Sequence, residues 1–590
     1  MRRHPIGDTT WITLLLCTTV STGCGLNPLQ RSYEDELRER LLNTRRNYRE
    51  ALADAEMVQT TRTPSELEEE LGPDRRAELD KIGGPKSHEG VSLQLDKDLM
   101  GNPDVRMIVL SLRQALHLAV KNNLDVQLAR LQPAVRDTTL VQAEAFFDAL
   151  YFLNFNVQNL DTPLPATNLL VNNAFGTVAE ETRPLDTGIR KMLTSGGRIT
   201  ISSGFTRNHR DPSFFSTRGY YDANILATLE QPLLRGFGED VNRAQILLTE
   251  NAKASDIEEL RRNMNQVTND TETFYWNLVA ARQQLLIRQR LLERTSTDRD
   301  KIKQRLMHDA EPVQYTQAQS SVWSARADVI RARNLLANAS DTLKRLMNSP
   351  DLNLADEVLV VPADTAASPP VEISLLDAVT TALRERPEMK QSLLDIQNAS
   401  IRQRIADNAR LPQLDLAATV RFNGIGESVG DAQETVTDGE FIDYLLGLQF
   451  EAPIGNRGPE AFYRQRQIER RAAVIAYQSQ AQQVVLDVKI SLRRVIDAFE
   501  LIGATLVARL AAADNVRALD EKEKAGGDPN MSLTQLVDLR LRRLQALADA
   551  EEEEIQALTA YHISIANLYL AMGTTLEHNA IEFSDQPIED

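Results

Sequence analysis

Few side chains in this sequence are suited to chemistry. The two cysteines are Cys17 and Cys24. If Cys24 is the only one left in a mature chain, there is no intramolecular disulfide and no thiolate zinc site. The seven histidines are scattered, and none stands at ligand spacing from a carboxylate. The run Glu551–Glu554 invites a divalent-cation reading. Four consecutive helical residues point in four directions, so the run reads as a solvated helix surface. No P-loop, HExxH, CxxC or GxSxG occurs. The sequence therefore predicts no enzyme, no cofactor and no metal.

The 66 basic and 84 acidic residues give a formal charge of −18. That balance disfavours nucleic acid, whose phosphates need a basic patch. No segment has the 18 or so apolar residues of a spanning helix. Trp11–Val20, preceded by Arg2, Arg3 and His4, reads as the short apolar core of a secretory signal. "VSTGCG" follows and resembles the lipobox of bacterial lipoproteins, with Thr22 and Gly23 before a lipidated Cys24. Ser21 departs from the Leu usual in that pattern, and Gly25 is not the Asp that tends to retain such proteins in the inner membrane.

The elements carrying these residues are written twice. "LSLRQALHLAVKNNLDVQLARL" from Leu110 aligns with "ISLLDAVTTALRERPEMKQSLL" from Ile373. "LEQPLLRGFGEDVNRAQ" around Pro232 aligns with "FEAPIGNRGPEAFYRQR" around Pro453, and the stretches around Pro312 and Pro529 form a third pair. Pro232 to Pro312 spans 80 residues, and Pro453 to Pro529 spans 76. Leu110 to Pro232 spans 122 but Ile373 to Pro453 only 80, so the first repeat carries about 42 extra residues, placed within 154–220 as a long loop or extra hairpin. Helices are predicted at 111–148, 239–305, 312–347, 374–409, 459–524 and 532–571.

In the last helix Val537, Leu541, Leu544, Ala548, Glu551, Ile555, Leu558, His562, Ile565, Tyr569 and Met572 step by 4 and 3; only Glu551 and His562 break the apolar series. Val474 to Leu506 nearly repeats the pattern. Such a stripe packs as a left-handed coiled coil, and a helix of 65 residues is roughly 100 Å long. The two shorter helices of each repeat, stacked end to end, match the long one, giving rods four helices across. "QLDLAATVRF", "YLLGLQFEAPI" and "ANILATLEQPL" alternate apolar and polar residues; the last pairs with "FLNFNVQ" or "RITISSGF". Strands of this kind suit a β-barrel wall with lipid outside and water inside. Four strands cannot close a barrel alone, but several chains each supplying four can.

Over residues 108–575 the chain resembles the TolC-like outer-membrane efflux protein family, as an outer membrane factor lipoprotein. The likeness rests on the doubled helix–strand–strand–helix–helix plan, "LPQL" at Leu411–Leu414 and "EAPI" at Glu451–Ile454. It implies a mainly α fold with a β-barrel portion: a homotrimer with a helical periplasmic tunnel below a shared twelve-strand barrel in outer-membrane lipid. It also implies a passive exit duct joined through a periplasmic adaptor (membrane fusion) protein to an inner-membrane pump, or to the ABC transporter of a type I secretion system. The helix–turn–helix tips, Met307–Thr316 and Ala525–Leu536, correspond to the periplasmic entrance and to the adaptor contact, with Pro312, Val313, Gly526, Gly527, Pro529 and Ser532 in it. Asp538 matches one of the family's inner aspartates, and Gln535 stands where the other would be, which implies a weaker cation-favouring ring.

The domain plan that follows is a signal peptide at 1–23, a polar tether at 24–109 with one short helix near Tyr33–Ala55, repeat one at 110–349, a Pro-rich linker at 350–372, repeat two at 373–575 and an acidic tail at 576–590. The competing reading is a lipid-anchored periplasmic coiled-coil adaptor or scaffold without a pore. An adaptor should have one helical hairpin between Gly-rich β-modules; this sequence has two hairpin units and no such modules.

Overall fold

The structure is a computed structural model. It describes residues 43–84 (except 45, 54 and 56), 87, 93, 95, 105–163, 177–211, 219–305, 311–524 and 532–584. The expected signal peptide, Cys24, the ends of both hairpin tips with Gly526, Gly527 and Pro529, and the last part of the acidic tail lie outside the described residues.

Two helices set the length of the molecule. Helix α4 (Ala244–Arg305) has 62 residues and α9 (Arg457–Lys524) has 68, so each runs about 90–100 Å. Val474, Tyr477, Ala481, Val484, Val488, Leu492, Val495 and Ile502 are buried along α9, as the heptad stripe predicts. The hairpin partners are α5 (Pro312–Met347) on α4 and α10 (Leu533–Met572) on α9.

The predicted helix at 111–148 is broken into α2 (Leu112–Asn122) and α3 (Leu124–Glu144). Asn123 causes the break: its Oδ1 accepts from the Asp125 and Val126 amides, while its Nδ2 donates to the Leu346 carbonyl at the end of α5. The predicted 374–409 helix is likewise α6 (Leu375–Glu385) and α7 (Pro387–Asn408). Here Pro387 forces Arg386 out of the helical region. Ser111 and Ser374 cap α2 and α6, as their positions predict. Gly573 ends α10 at φ +75°, with Arg386 Cα 3.0 Å from where a Cβ would stand. The short helices thus stack end to end beside the long ones: α3 and α5 beside α4, α7 and α10 beside α9.

Two stretches expected to be a tether and a linker are packed structure. Strand β8 (Val358–Pro362) is buried throughout and pairs in parallel with β2 (Arg106–Leu110). Strand β1 (Met57–Gln59) pairs antiparallel with β9 (Glu372–Ser374). Helix α1 (Glu66–Ile82) carries a capping box at Ser65 and Glu68 and inserts Leu71 and Leu79 among Ile287, Leu291, Leu510 and Leu547. Burying apolar groups contributed by distant segments is what holds them.

The sheet departs from four strands. Its order is β11 (Phe441–Glu451), β10 (Gln413–Gly426), β7 (Gly219–Pro232), β6 (Arg198–Asp211), β5 (Thr177–Met192) and β3 (Leu150–Phe155), with β4 (Gln158–Pro163) also on β5. β3 and β4 keep one register on β5 (Phe155 with Leu185, Gln158 with Thr182), so they are one interrupted strand. Among the described residues this sheet therefore has six strand positions, all antiparallel neighbours. The expectation of twelve strands from three chains rested on four per chain. The extra residues placed within 154–220 build the hairpin β5–β6 within the sheet, one of the two forms expected of them, turned by Leu193–Gly197.

Candidate conduit

The sheet has two unlike faces. One cross-strand row runs Tyr151, Ile189, Ile201, Ala227, Val420, Tyr444. A neighbouring row on the same face runs Leu153, Thr187, Ser203, Ile225, Phe422, Ile442. The opposite face carries Asp186, Arg190, Thr200, Ser202, Asn224, Thr228, Glu230, Thr419, Arg421, Asn423 and Asp443. Thr419 donates to Thr228 at 3.4 Å and Asn423 to Asp443 at 2.7 Å on that side. The period-2 alternation of each strand creates this division. It is sharpest on β5, β6 and β10, while Leu150 and Phe152 on β3, Leu226 on β7 and Leu445 on β11 lie on the otherwise polar face. Beyond the apolar rows, helix α8 (Val429–Asp438) lays Ala432 and Val436 on Phe205, Ala223 and Phe422.

The sheet joins the helices at one end only. β3 follows α3, β7 leads toward α4, β10 follows α7, and β11 leads toward α9. The far ends of the strands point away from the helical rods.

At the other end of the rods, the predicted entrance residues fall into specific contacts. Pro312 is the first residue of α5, where its missing N–H has no helical role, and Val313 beside it is exposed. Ser532 caps α10: its Oγ accepts from the Gln535 amide and the Gln535 Oε1 accepts from the Ser532 amide. Gln535 is therefore a capping-box residue within its own chain. Asp538 accepts from Gln317 Nε2 at 3.0 Å and is ion-paired with Arg542, one turn on. Gln314 donates to Thr534 at 2.8 Å, a second bond between the hairpins.

Sequence reasoning overlooked Arg540. Its guanidinium meets Asp298 at 2.7 Å, Asp520 at 2.8 Å and Glu523 at 2.7 Å, joining α10 to both long helices near the tip. Burial works against that charge, but the three carboxylates outweigh it and hold the guanidinium above its ordinary value.

The acidic run is also corrected. Glu551, Glu552 and Glu554 are buried. Glu554 meets Arg509 Nε at 2.6 Å, Arg509 also meets Asp80 at 3.0 Å, and Glu552 meets Arg288 at 2.5 Å. Arg509 and Arg294 each donate to a carbonyl at the end of α1, those of Gly83 and Ile82. Burial pushes the Glu551 carboxyl up to about 7, against the pull of Arg294 and Arg509. Glu551, Glu552 and Glu554 face inward because neighbouring helices and α1 pack around α10 at this height, while Glu553 is exposed. Among the described residues, no group of three His, Cys, Asp or Glu is placed to hold a metal ion, and no helix is long and apolar enough to cross a membrane.

Long paired helices with an amphipathic sheet at one end occur in solved outer-membrane channels. The chain has the fold of the TolC-like outer-membrane channels. The Campylobacter jejuni CmeC outer membrane channel superposes with a TM-score of 0.56 at 16% identity, over 79% of this chain and 86% of that one. The Neisseria gonorrhoeae MtrE outer membrane channel gives 0.54 at 15% identity over 82% and 96%, and the Vibrio cholerae outer membrane protein VceC gives 0.53 at 12% over 78% and 96%. No family model and no curated protein matches the chain. The channel fold is thus shared at a sequence identity where packing pattern, not residue identity, carries the likeness.

Proposed function

We propose that this chain is the outer-membrane exit duct of a tripartite efflux pump or a type I secretion system. It conducts substrate passively as a homotrimer whose helices form a periplasmic tunnel. A periplasmic adaptor and an inner-membrane pump or ABC transporter supply the selection and the energy. The observation carrying this reading is the sheet: one face mainly apolar over six antiparallel strand positions, the other mainly polar on its central strands, joined at one end to helices of about 100 Å. A lipid-facing wall with a wet interior needs that division.

Asp538 lies near the tip and would place three carboxylates around the entrance, each tempered by Arg542 and Gln317. Pro312, Val313 and Ser532, with Gly526, Gly527 and Pro529, form the adaptor-contacting tips in this reading. Cys24 adds a lipid anchor to a wall that is already embedded.

The test is reconstitution of the purified protein in planar bilayers, with its mass in detergent. A particle of three chains that is heat-modifiable on a gel and gives steady conductance is expected. A monomer with no heat-modifiable band and no conductance overturns the reading. The Cys24→Ser protein is expected to remain in the membrane fraction after an alkaline carbonate wash; release would assign attachment to the lipid alone.

A further inference from the structure

The sheet has two open edges: β3 with β4 on one side and β11 on the other. Soluble proteins blunt such edges with Lys, Pro or a covering segment. Residues 441–451 contain no Lys, Arg or Pro, and the β3–β4 edge contains no Lys or Arg and a single Pro, Pro163, at its far end. Both expose large apolar side chains: Tyr151, Leu153 and Phe155 on β3, and Tyr444, Leu446 and Leu448 on β11. The edges also match in direction and height. β3 runs away from the helices and β11 runs back toward them, and Tyr151 and Tyr444 lie in the same cross-strand row.

We propose, on the reading that three copies form one channel, that β11 of each copy pairs antiparallel with β3–β4 of the next, closing a wall of eighteen strands. Every strand position of this sheet then lies in the barrel, including the β5–β6 hairpin.

The helices below give an independent measure of how wide that wall must be. Near the sheet each chain has four helices side by side, in the order α3, α4, α7, α9. At 8–10 Å between axes they occupy an arc of about 32–40 Å. A strand spaced about 4.8 Å from its neighbour and tilted by about 40° takes about 6 Å of circumference. Six strands then cover about 37 Å of arc, but four cover only about 25 Å.

The extra hairpin stands where the deficit would arise. α3 and α4 are neighbours, yet the strands continuing them, β3 and β7, are separated by β5 and β6. Elsewhere adjacent helices continue into adjacent strands, as α4 and α7 do into β7 and β10. Because diameter scales with strand number, the eighteen-strand wall is about 1.5-fold wider than a twelve-strand one and roughly twofold larger in cross-section. The wall matches the helical ring without a constriction at the junction.

Electron cryomicroscopy of the full-length protein in lipid nanodiscs tests this by counting strands. The expected image is a closed eighteen-strand ring, with 441–451 hydrogen-bonded to 150–155 of the neighbouring copy. A twelve-strand ring with 177–211 outside the wall overturns this proposal and leaves the channel reading standing. Single chains with an open sheet overturn both.

Discussion

Arg509 and Glu554 meet at 2.6 Å with both side chains buried, and the same guanidinium reaches Asp80 at 3.0 Å. One arginine of α9 thus ties α10 to the end of α1. Removing one partner of a buried pair leaves an uncompensated charge, which costs more than the pair contributes. Arg509→Met is expected to lower stability by about 3–5 kcal/mol. It should also open residues 66–84 to protease at concentrations that leave the wild type intact. An unchanged melting temperature and digestion pattern would refute this role.

Glu551 gives a pH signature. Its folded carboxyl titrates at about 7, against an ordinary value of 4.5. Between those values the folded chain holds a proton that the unfolded chain has released, so stability falls as pH rises through this window. The same sign holds for Glu552 and Glu554, both raised chiefly by burial. Glu551→Gln keeps the neutral form at every pH. Relative to wild type it is expected to gain up to about 3 kcal/mol at pH 8 and nothing at pH 4.5. Melting temperatures across pH 4.5–8 check this; parallel curves for the two proteins would contradict it.

Arg540 is expected to hold the tip shut against fluctuation, because it spans Asp298 on α4 and Asp520 and Glu523 on α9. With Arg540→Ala, amide exchange at 298–305 and 515–524 should rise about tenfold, equivalent to ~1.4 kcal/mol of local stability. Exchange in the sheet should not change. Arg540→Lys keeps the charge but not the fork of donors, and should fall between the two.

The two faces of the sheet predict opposite tolerance. Ile201 lies in the apolar row between Ile189 and Ala227, and Thr228 lies on the polar face between Thr200 and Thr419. Ile201→Arg is expected to cost about 2–4 kcal/mol and to reduce the heat-modifiable folded band. Thr228→Arg should leave it within about 1 kcal/mol. Equal loss from both substitutions would contradict the lipid-and-lumen assignment.

The helix plan was legible where a pattern is local. The 312–347 helix starts and ends where the sequence places it, because Pro312 and Asn348 act on their own neighbours. The breaks at Asn123 and Arg386 had visible signals, an N-cap residue and a following proline, but the apolar stripe continues through both. The acidic run shows two local signals in conflict. The 4-and-3 stepping of α10 already put Glu551 in the seam, while four charges in a row argued for solvent. Arg294, Arg509 and the end of α1 decide the matter, and they come from distant parts of the chain.

The amino-acid sequence by itself determined the long helices and the alternating strands, since periodicity and capping act over a few residues. Only the tertiary structure decided that residues 57–82 and 358–362 pack into the body, that β5 and β6 join the sheet, and that Glu551, Glu552 and Glu554 are buried. Each of those outcomes depends on a partner surface supplied from far along the chain, and burial free energy is set by that partner as much as by the residue itself.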